Sequence, residues 1–465
     1  MPNTELKKVW AELFEGVPAT LGDVKKVEAA ATAFNANIDA VLKISPAKLS
    51  ELIKQEDLSL EELQDIRESK LNSGADVIKG IFRCFEKGIA EEWLTEDVNV
   101  YKWMVESLGY DRLQMGGQGG IVANAMAVTG VKNVYVHCNS LPKLQSERFI
   151  KQNNLKSFDE NGKEAAAYKI DRTTDIPLIH WIIEFDKNAK ITVEDHEFIC
   201  PKSNRFIATY DPLNLNLVMD ENFVNKLTKD AMDCIVLSGF HALTAQSRGV
   251  ELVEESVAVI EPWKKENTIL HLELASTQDL KVRKAILDYI APLADSLGCN
   301  ERETIDVLEA IGEKELAEAC EQKTNAVNLF KGLLKVKQKL KSPRIQLHMF
   351  GLYITLQNKG FKITPQANLR GMAVAATAAA SKAGTGKVES REEILWSKGK
   401  QVSDVGLEEM KGLAEFLEDE EFLKTGIAIY KDYEVIALPT ILIEKPITLV
   451  GMGDTISSIS LIAAR

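Results

Sequence analysis

Thr448-Leu-Val-Gly451-Met-Gly453-Asp454-Thr-Ile-Ser-Ser458 is the stretch on which the reading of the fold turns. A β-type run, Ile441-Leu-Ile and then Ile447-Thr-Leu-Val450, leads into a Gly-x-Gly turn, and Asp454 falls where a helix would begin. Two glycines let the backbone bend tightly and bring its N–H groups toward a guest. A helix N-terminus adds unpaired N–H donors and a positive dipole end, which together favour phosphate. A carboxylate there can take a proton from a hydroxyl while the amides stabilise a transferring phosphoryl group. Standing alone, the stretch reads equally as a Gly-rich turn with an aspartate N-cap.

The chain around it has 465 residues, enough for a large core and for two domains or one domain with a sizeable insertion. Its 45% apolar and 27% charged content is that of a water-soluble globular protein. No apolar run approaches the roughly 20 residues a bilayer span needs. The opening Met-Pro-Asn-Thr-Glu-Leu-Lys-Lys has no apolar signal core, so the expected location is the cytoplasm. Six scattered cysteines without Cys-x-x-Cys spacing point to buried thiols, neither a disulfide framework nor a zinc site. A formal charge of −13 argues against nucleic acid as a partner, and a binder of anionic metabolites must gather its basic residues locally.

Upstream, residues 5–15 carry apolar positions at helical spacing, and Val27 onward reads as a strand ending in the polar cluster Asn35, Asn37 and Asp39. Polar groups at a strand end can grip sugar hydroxyls or merely form a turn. Residues 46–71 and 74–93 predict two amphipathic helices, the second closing with Glu91 and Glu92, a pair that by itself suits a solvated surface. Met115-Gly-Gly117-Gln118-Gly-Gly-Ile opens a small-residue helix by which some backbone or ligand must pass closely; no Gly-Lys-Ser/Thr follows, so it is not a Walker loop. Residues 151–212 predict a small antiparallel sheet, including Leu178–Phe185, inserted among βα units. A doubly wound rhythm follows: strand 234–239, helix 248–260, strand 268–275, helices 279–297 and 301–311, strand 345–350, and an Ala-rich helix over 369–382 that must pack closely.

His271-Leu-Glu273 ends a strand with its polar side chains on one face, and Asn300-Glu-Arg-Glu303 begins a helix. Asn300 and Glu303 share a face and suit either a magnesium shell or a capping box. Arg205 could clamp phosphate. With no catalytic Cys or Ser–His signature and no zinc motif, the inventory suits phosphoryl transfer, which needs positioning, metal and electrostatics. A dehydrogenase is disfavoured because Gly116–Gly120 is too dense for the dinucleotide fingerprint.

In order along the chain stand Asn35-Ala-Asn-Ile-Asp39, Met115-Gly-Gly-Gln-Gly-Gly-Ile, Asn204-Arg-Phe-Ile207, Leu237-Ser-Gly-Phe-His-Ala-Leu243, His271-Leu-Glu273, Asn300-x-x-Glu303 and Gly451-Met-Gly-Asp454. From about residue 27 to 465 the chain resembles the archaeal-type ADP-dependent sugar kinases, the ADP-dependent glucokinase and phosphofructokinase family of ribokinase-like fold. The resemblance implies an α/β protein with a large doubly wound sheet flanked by helices (residues 1–43, 116–163 and 212–465) and a smaller α/β lid (44–115 and 164–211). It implies ADP as donor, Mg²⁺ or another divalent cation, a hexose or hexose phosphate as acceptor, and a monomer or small homo-oligomer. By matching motif, Asp454 would be the base, with Gly451 and Gly453 cradling the phosphoryl group. Glu273, Asn300 and Glu303, with Asp454, would organise the metal, and Arg205 would meet the nucleotide phosphates. Asn37, Asp39, Glu92, Gly117, Gln118 and His180 would line the sugar pocket. Phe350, Tyr353 and Val450 are adenine-wall candidates that core packing explains equally well.

The acceptor expected is fructose 6-phosphate, on the segments Ala33–Val41 and Ser140–Lys143. Glucose, alone or as a second substrate, is the rival: Glu92 stands where the resemblance places Glu in glucokinases. Leu178 and Asp211 stand where the phosphofructokinase branch carries Lys and Arg for the 6-phosphate. Lys143, Lys169, Arg172, Lys202 and Arg112 are the nearby substitutes. A catalytically dead nucleotide or sugar sensor is the remaining alternative.

Overall fold

Among the described residues, two sheets and a two-stranded ribbon carry the architecture. The computed structural model describes residues 1–465 except Ser276 and Gln278. The large sheet has eleven strands. Its centre runs parallel in the spatial order Arg344–Met349, Ser296–Cys299, Ile269–Glu273, Cys234–Leu237, Ala29–Ala33, Asn133–Val136 and Leu155–Phe158. Antiparallel strands close both edges. These central segments are short and almost wholly buried, as strands covered on both faces must be, and they carry buried polar side chains such as His271, Glu273, Ser296 and Arg344 among the apolar ones. One covering layer consists of Gln118–Thr129, Pro365–Thr385 and Met452–Ala463. The alanines of Pro365–Thr385 let it approach Met452–Ala463 more closely than bulky side chains would, which is the close packing its composition predicts.

The chain leaves Ala29–Ala33 for Asn133–Val136 on one side and returns to Cys234–Leu237 on the other. The strand order therefore reverses between Ala29–Ala33 and Cys234–Leu237, and a ligand crevice opens at their carboxyl ends.

The smaller sheet has five strands in the order Glu91–Thr95, Asn204–Tyr210, Ile179–Phe185, Asn37–Lys43 and Arg112–Gly116. One face buries Ile38, Ala40, Trp93, Trp181, Ile183, Phe206 and Ala208 in a second core, beneath helices Pro46–Gln55, Gly74–Lys87 and Val98–Ser107. Alternation then puts Asp39, Glu92, His180, Arg205 and Thr209 on the opposite face.

Several sequence expectations change. Residues 441–450 form no strand; their apolar side chains find no partner strand, and Ile447 and Leu449 stay exposed. Glu91 and Glu92 lie on a strand, not at a helix end. The helix expected over 46–71 ends at Gln55, with one further short helix at Leu60–Gln64. The helical run from Leu280 stops at Leu293, and Ser296–Cys299 is a buried strand. Asn37–Lys43 belongs to the smaller sheet and Glu164–Ala166 to the large one, so the chain crosses before residue 37, not after 43, and again after 166.

Candidate active site

The crevice at the switch point is closed by the helix Met452–Ala463. Gly451, its N-cap, has φ +62, and Asp454 lies in the first helical turn, buried, where the dipole favours an anion. Gln118 bridges the crevice: its amide N–H donates to Asp454 Oδ1 at 3.3 Å, and its carbonyl accepts from the Gly239 N–H at 3.2 Å. Gln118 can reach both because Gly117 turns there with φ +70; a Cβ at 117 would lie 2.4 Å from the Asn35 carbonyl and 2.5 Å from Asn37 Oδ1. From Pro365–Thr385, Lys382 donates to the Gly451 carbonyl and to Thr455 Oγ1, both at 3.2 Å. Burial draws the Lys382 ammonium down to about 8, against the pull of Asp454.

Three carboxyls converge beside this turn. Burial, then repulsion from Glu273, lifts Asp454 to about 7. Glu273 is lifted to about 8 by burial, and Glu303 stands well above the ordinary range through burial and the charge of Glu273. Asn300 and Glu303 form the reciprocal capping box, Asn300 Oδ1 accepting from Glu303 N–H at 2.9 Å and Glu303 Oε2 from Asn300 N–H at 2.8 Å. The two sequence readings of that pair are thus compatible: one Glu303 oxygen caps the helix and the other is left over. Glu273 Oε2 meets His271 Nε2 at 3.0 Å, and Glu273 Oε1 lies 3.8 Å from His348 Nε2. Among the described residues no three candidate ligands form a cage by themselves. Surplus buried negative charge with hard oxygen donors fits a magnesium ion, which characteristically takes one or two carboxylates and completes its shell with water and substrate phosphate.

On the open face of the smaller sheet, register aligns Asp39, His180 and Thr209 across three strands. Thr209 Oγ1 donates to Glu92 Oε1 at 2.6 Å, and Asn37 Nδ2 to Asp39 Oδ1 at 3.2 Å. His180 Nε2 sits 3.0 Å from Asp211 Oδ2 while Nδ1 lies 4.0 Å from Glu92. Burial opposes charge on His180, but the hydrogen bond and charge of Asp211, with Glu92 and Asp39, raise the imidazole above its ordinary value. Burial raises Asp39, opposed mainly by His180. Arg205 shares this face, exposed, four residues before Thr209 and opposite Glu184.

The other candidates divide. Phe350, in a turn, is 66% exposed and Val450 43%, so both present surface. Tyr353, paired with His348 and Leu438 in the large sheet, is 5% exposed and belongs to the core. Arg172 is no phosphate ligand: its guanidinium donates to the Phe158 and Cys138 carbonyls and pairs with Asp220 at 2.7 Å. Lys169 lies over the Tyr168 ring, while Lys143, Lys202 and Arg112 are exposed. Sequence reasoning missed Lys382 and His348, single residues in an alanine helix and a buried strand, where no local pattern marks them.

A doubly wound sheet whose switch point offers a helix N-terminus and a buried carboxylate, with a second sheet presenting hydroxyl-binding groups, defines a small-molecule kinase. Residues 28–463 match the ADP-specific phosphofructokinase/glucokinase conserved region, and the chain belongs to that family of ADP-dependent sugar kinases. It is 29% identical to an ADP-specific phosphofructokinase of Methanosarcina acetivorans over 93% of this chain and 92% of the relative. To an ADP-dependent glucose/glucosamine kinase of Pyrococcus furiosus it is 31% identical over 97% of both. Among solved structures it is similar to the last common ancestor of ADP-dependent phosphofructokinases from Methanosarcinales, at TM-score 0.86 and 28% identity over 100% of this chain and 99% of that one. It is also similar to an ADP-dependent kinase complex with fructose-6-phosphate and ADPβS, at TM-score 0.81 and 28% identity over 100% and 98%. No described helix is long and apolar enough to cross a membrane.

Proposed function

We propose that the enzyme transfers the β-phosphoryl group of ADP to the 1-hydroxyl of fructose 6-phosphate, giving AMP and fructose 1,6-bisphosphate. The observation that carries the chemistry is Asp454, a buried carboxyl in the first turn of an anion-binding helix, held by Gln118 and balanced near neutrality. Its carboxylate takes the proton of the attacking hydroxyl while the N–H groups of the Gly451–Asp454 turn receive the phosphoryl oxygens. Lys382 fixes the Gly451 carbonyl and offsets charge at the same place. Asn37, Asp39, Gly117, Gln118 and His180 hold the sugar, Arg205 meets the nucleotide phosphates, and Phe350 and Val450 flank the adenine. Glu303 and Glu273, with Asn300 orienting Glu303, would hold Mg²⁺, which when bound neutralises charge on the phosphoryl oxygens. Six free, buried cysteines suit a reducing cytoplasm.

Glucose is a second reading with its own observation. Glu92 projects from the open face with its Oε1 held by Thr209, beside Asp39 and Asp211. This end of the site is rich in carboxylates, which suit neutral hydroxyls and repel a 6-phosphate. Coupled assays with each sugar and with ADP or ATP test both readings. ADP-supported turnover of fructose 6-phosphate above that of glucose is expected, and turnover of neither would overturn the function. Glu92→Ala is expected to lower kcat/KM for glucose by about 10-fold or more, one charge-assisted hydrogen bond, while sparing fructose 6-phosphate. Equal loss on both sugars would remove Glu92 as the discriminating residue.

The base must be ionised to act. kcat/KM is therefore expected to fall as pH drops below about 7, the value to which burial and Glu273 raise Asp454. A flat profile between pH 5.5 and 8 would contradict that assignment.

A further inference from the structure

Behind the carboxylate cluster lies a guanidinium that the reaction, as described, does not use. Arg344 is fully buried on a central strand of the large sheet, yet no carboxylate forms a salt bridge with it among the described residues. A buried charge without a direct partner is expensive, so its field has to be answered elsewhere. Its Nη1 donates to Ser296 Oγ at 2.7 Å, and Ser296 Oγ lies 2.9 Å from His271 Nδ1. His271 Nε2 in turn lies 3.0 Å from Glu273 Oε2. The second terminal nitrogen, Nη2, donates to Gln346, which holds Ser460 of the Asp454 helix, and to Asn368 at 3.2 Å. Four side chains thus form one continuous line, Arg344–Ser296–His271–Glu273, all buried.

The direction of this line follows from donor and acceptor counting. A guanidinium can only donate, so the Ser296 oxygen accepts from it, and the single Ser296 hydrogen is left to donate onward. The next atom is His271 Nδ1, which must then be the bare nitrogen, and the ring proton sits on Nε2. That Nε2–H donates to Glu273, leaving the carboxylate as a hydrogen-bond acceptor with its free lone pairs toward the crevice. The reverse order would leave the Ser296 hydrogen without a partner in a dry interior.

We infer that Arg344 and Ser296 are positioning residues for the phosphoryl-transfer site: they fix the Nε2–H tautomer of His271 and thereby orient Glu273 toward the cation. Outer partners that fix a ligand's tautomer and orientation typically govern metal affinity by about 10- to 100-fold. The inference rests on the reading of Glu273 as part of the cation site, but its first test does not.

Long-range ¹H–¹⁵N correlation spectra of the metal-free full chain, labelled at its six histidines, read the tautomer directly, with His271→Asn identifying the signal. The Nε2–H form is expected in the unmodified protein and in Arg344→Lys, and its loss, or a mixture, in Ser296→Ala. An Nδ1–H His271 in the unmodified protein, or an unchanged tautomer in Ser296→Ala, overturns the inference. Mn²⁺ binding followed by electron paramagnetic resonance supplies the second arm. Ser296→Ala is expected to weaken Mn²⁺ about 10-fold or more while the KM for the sugar holds. Unchanged Mn²⁺ affinity there overturns the inference. If Glu273→Gln leaves Mn²⁺ binding intact in an otherwise normal protein, the cation-site reading fails instead.

Discussion

Asp454→Asn is expected to lower kcat by between about 10²- and 10⁴-fold, the range for a lost general base, while the KM values for sugar and ADP move little. The substitution is isosteric, so the helix keeps a side-chain acceptor in its first turn and Gln118 keeps a partner. What disappears is the group that receives the hydroxyl proton. A 10³-fold loss corresponds to about 4 kcal/mol of transition-state stabilisation. Residual turnover should no longer rise through pH 7, because the group that titrates there is gone. Steady-state kinetics across pH on the variant and its parent check both statements. A variant with more than about a tenth of the parent kcat would remove Asp454 from the role of base.

Lys382 should behave differently. It touches the turn through the Gly451 carbonyl and Thr455, not through Asp454 itself, and its ammonium is already drawn down toward neutrality. Burial thus lifts the base to about 7 and draws the cation beside it down to about 8, so the two approach each other from opposite sides. A site of this kind has both groups in their useful forms over a narrow interval, and its profile should be bell-shaped rather than a simple rise.

What could be read before folding was whatever is local. The Gly451–Asp454 turn, the Gly116–Gly120 helix start and the Asn300–Glu303 box each lie within a few residues and carry their geometry in their spacing. The failures have one physical cause, the dependence of strands on partners. Ile441-Leu-Ile has the composition of a strand but meets no sheet edge, while Ser296-Leu-Gly-Cys299, whose first residues read as the end of a helix, is claimed by two neighbouring strands. Glu92 looked like a solvated helix end because its strand is defined by pairing with residues 206–210, more than a hundred positions away. Tyr353 shows the opposite limit: an aromatic residue near a crevice in sequence is, in space, a core residue between two strands. Arg172 looked available because its partners Phe158 and Asp220 come from separate segments.

Glu303→Gln is expected to abolish most activity and, at the same time, to stabilise the metal-free protein. Burial raises the proton affinity of Glu273, Glu303 and Asp454, and the charge of Glu273 raises that of Glu303 and Asp454 further, so each ionised carboxyl there works against the fold. Glutamine keeps a carbonyl oxygen for the Asn300 N–H and removes one charge. The gain should be on the order of 1 kcal/mol, about 1 °C in Tm for a chain this long. The loss should be about 10²-fold or more in kcat/KM, recovered little by added Mg²⁺, because a hard cation prefers a charged oxygen. The pH dependence has a definite sign. Glu273 titrates near 8 in the folded chain against an ordinary 4.5, so its neutral form is favoured by folding; stability is greatest below 4.5 as far as this group is concerned and declines as pH rises toward 8. His271 and His348, drawn down to about 3 and about 4 by burial, act oppositely and destabilise the fold as pH falls below 6.5. Mg²⁺ should therefore raise Tm more at about pH 8, where Asp454 is ionised and Glu273 is titrating, than near pH 5, where protons occupy both. EDTA should reverse the gain at pH 8 and do little at pH 5. A Glu303→Gln variant that is less stable than its parent without metal at pH 8 would show that the three carboxyls are not a repelling set waiting for a cation, and the reading of this cluster would have to be abandoned.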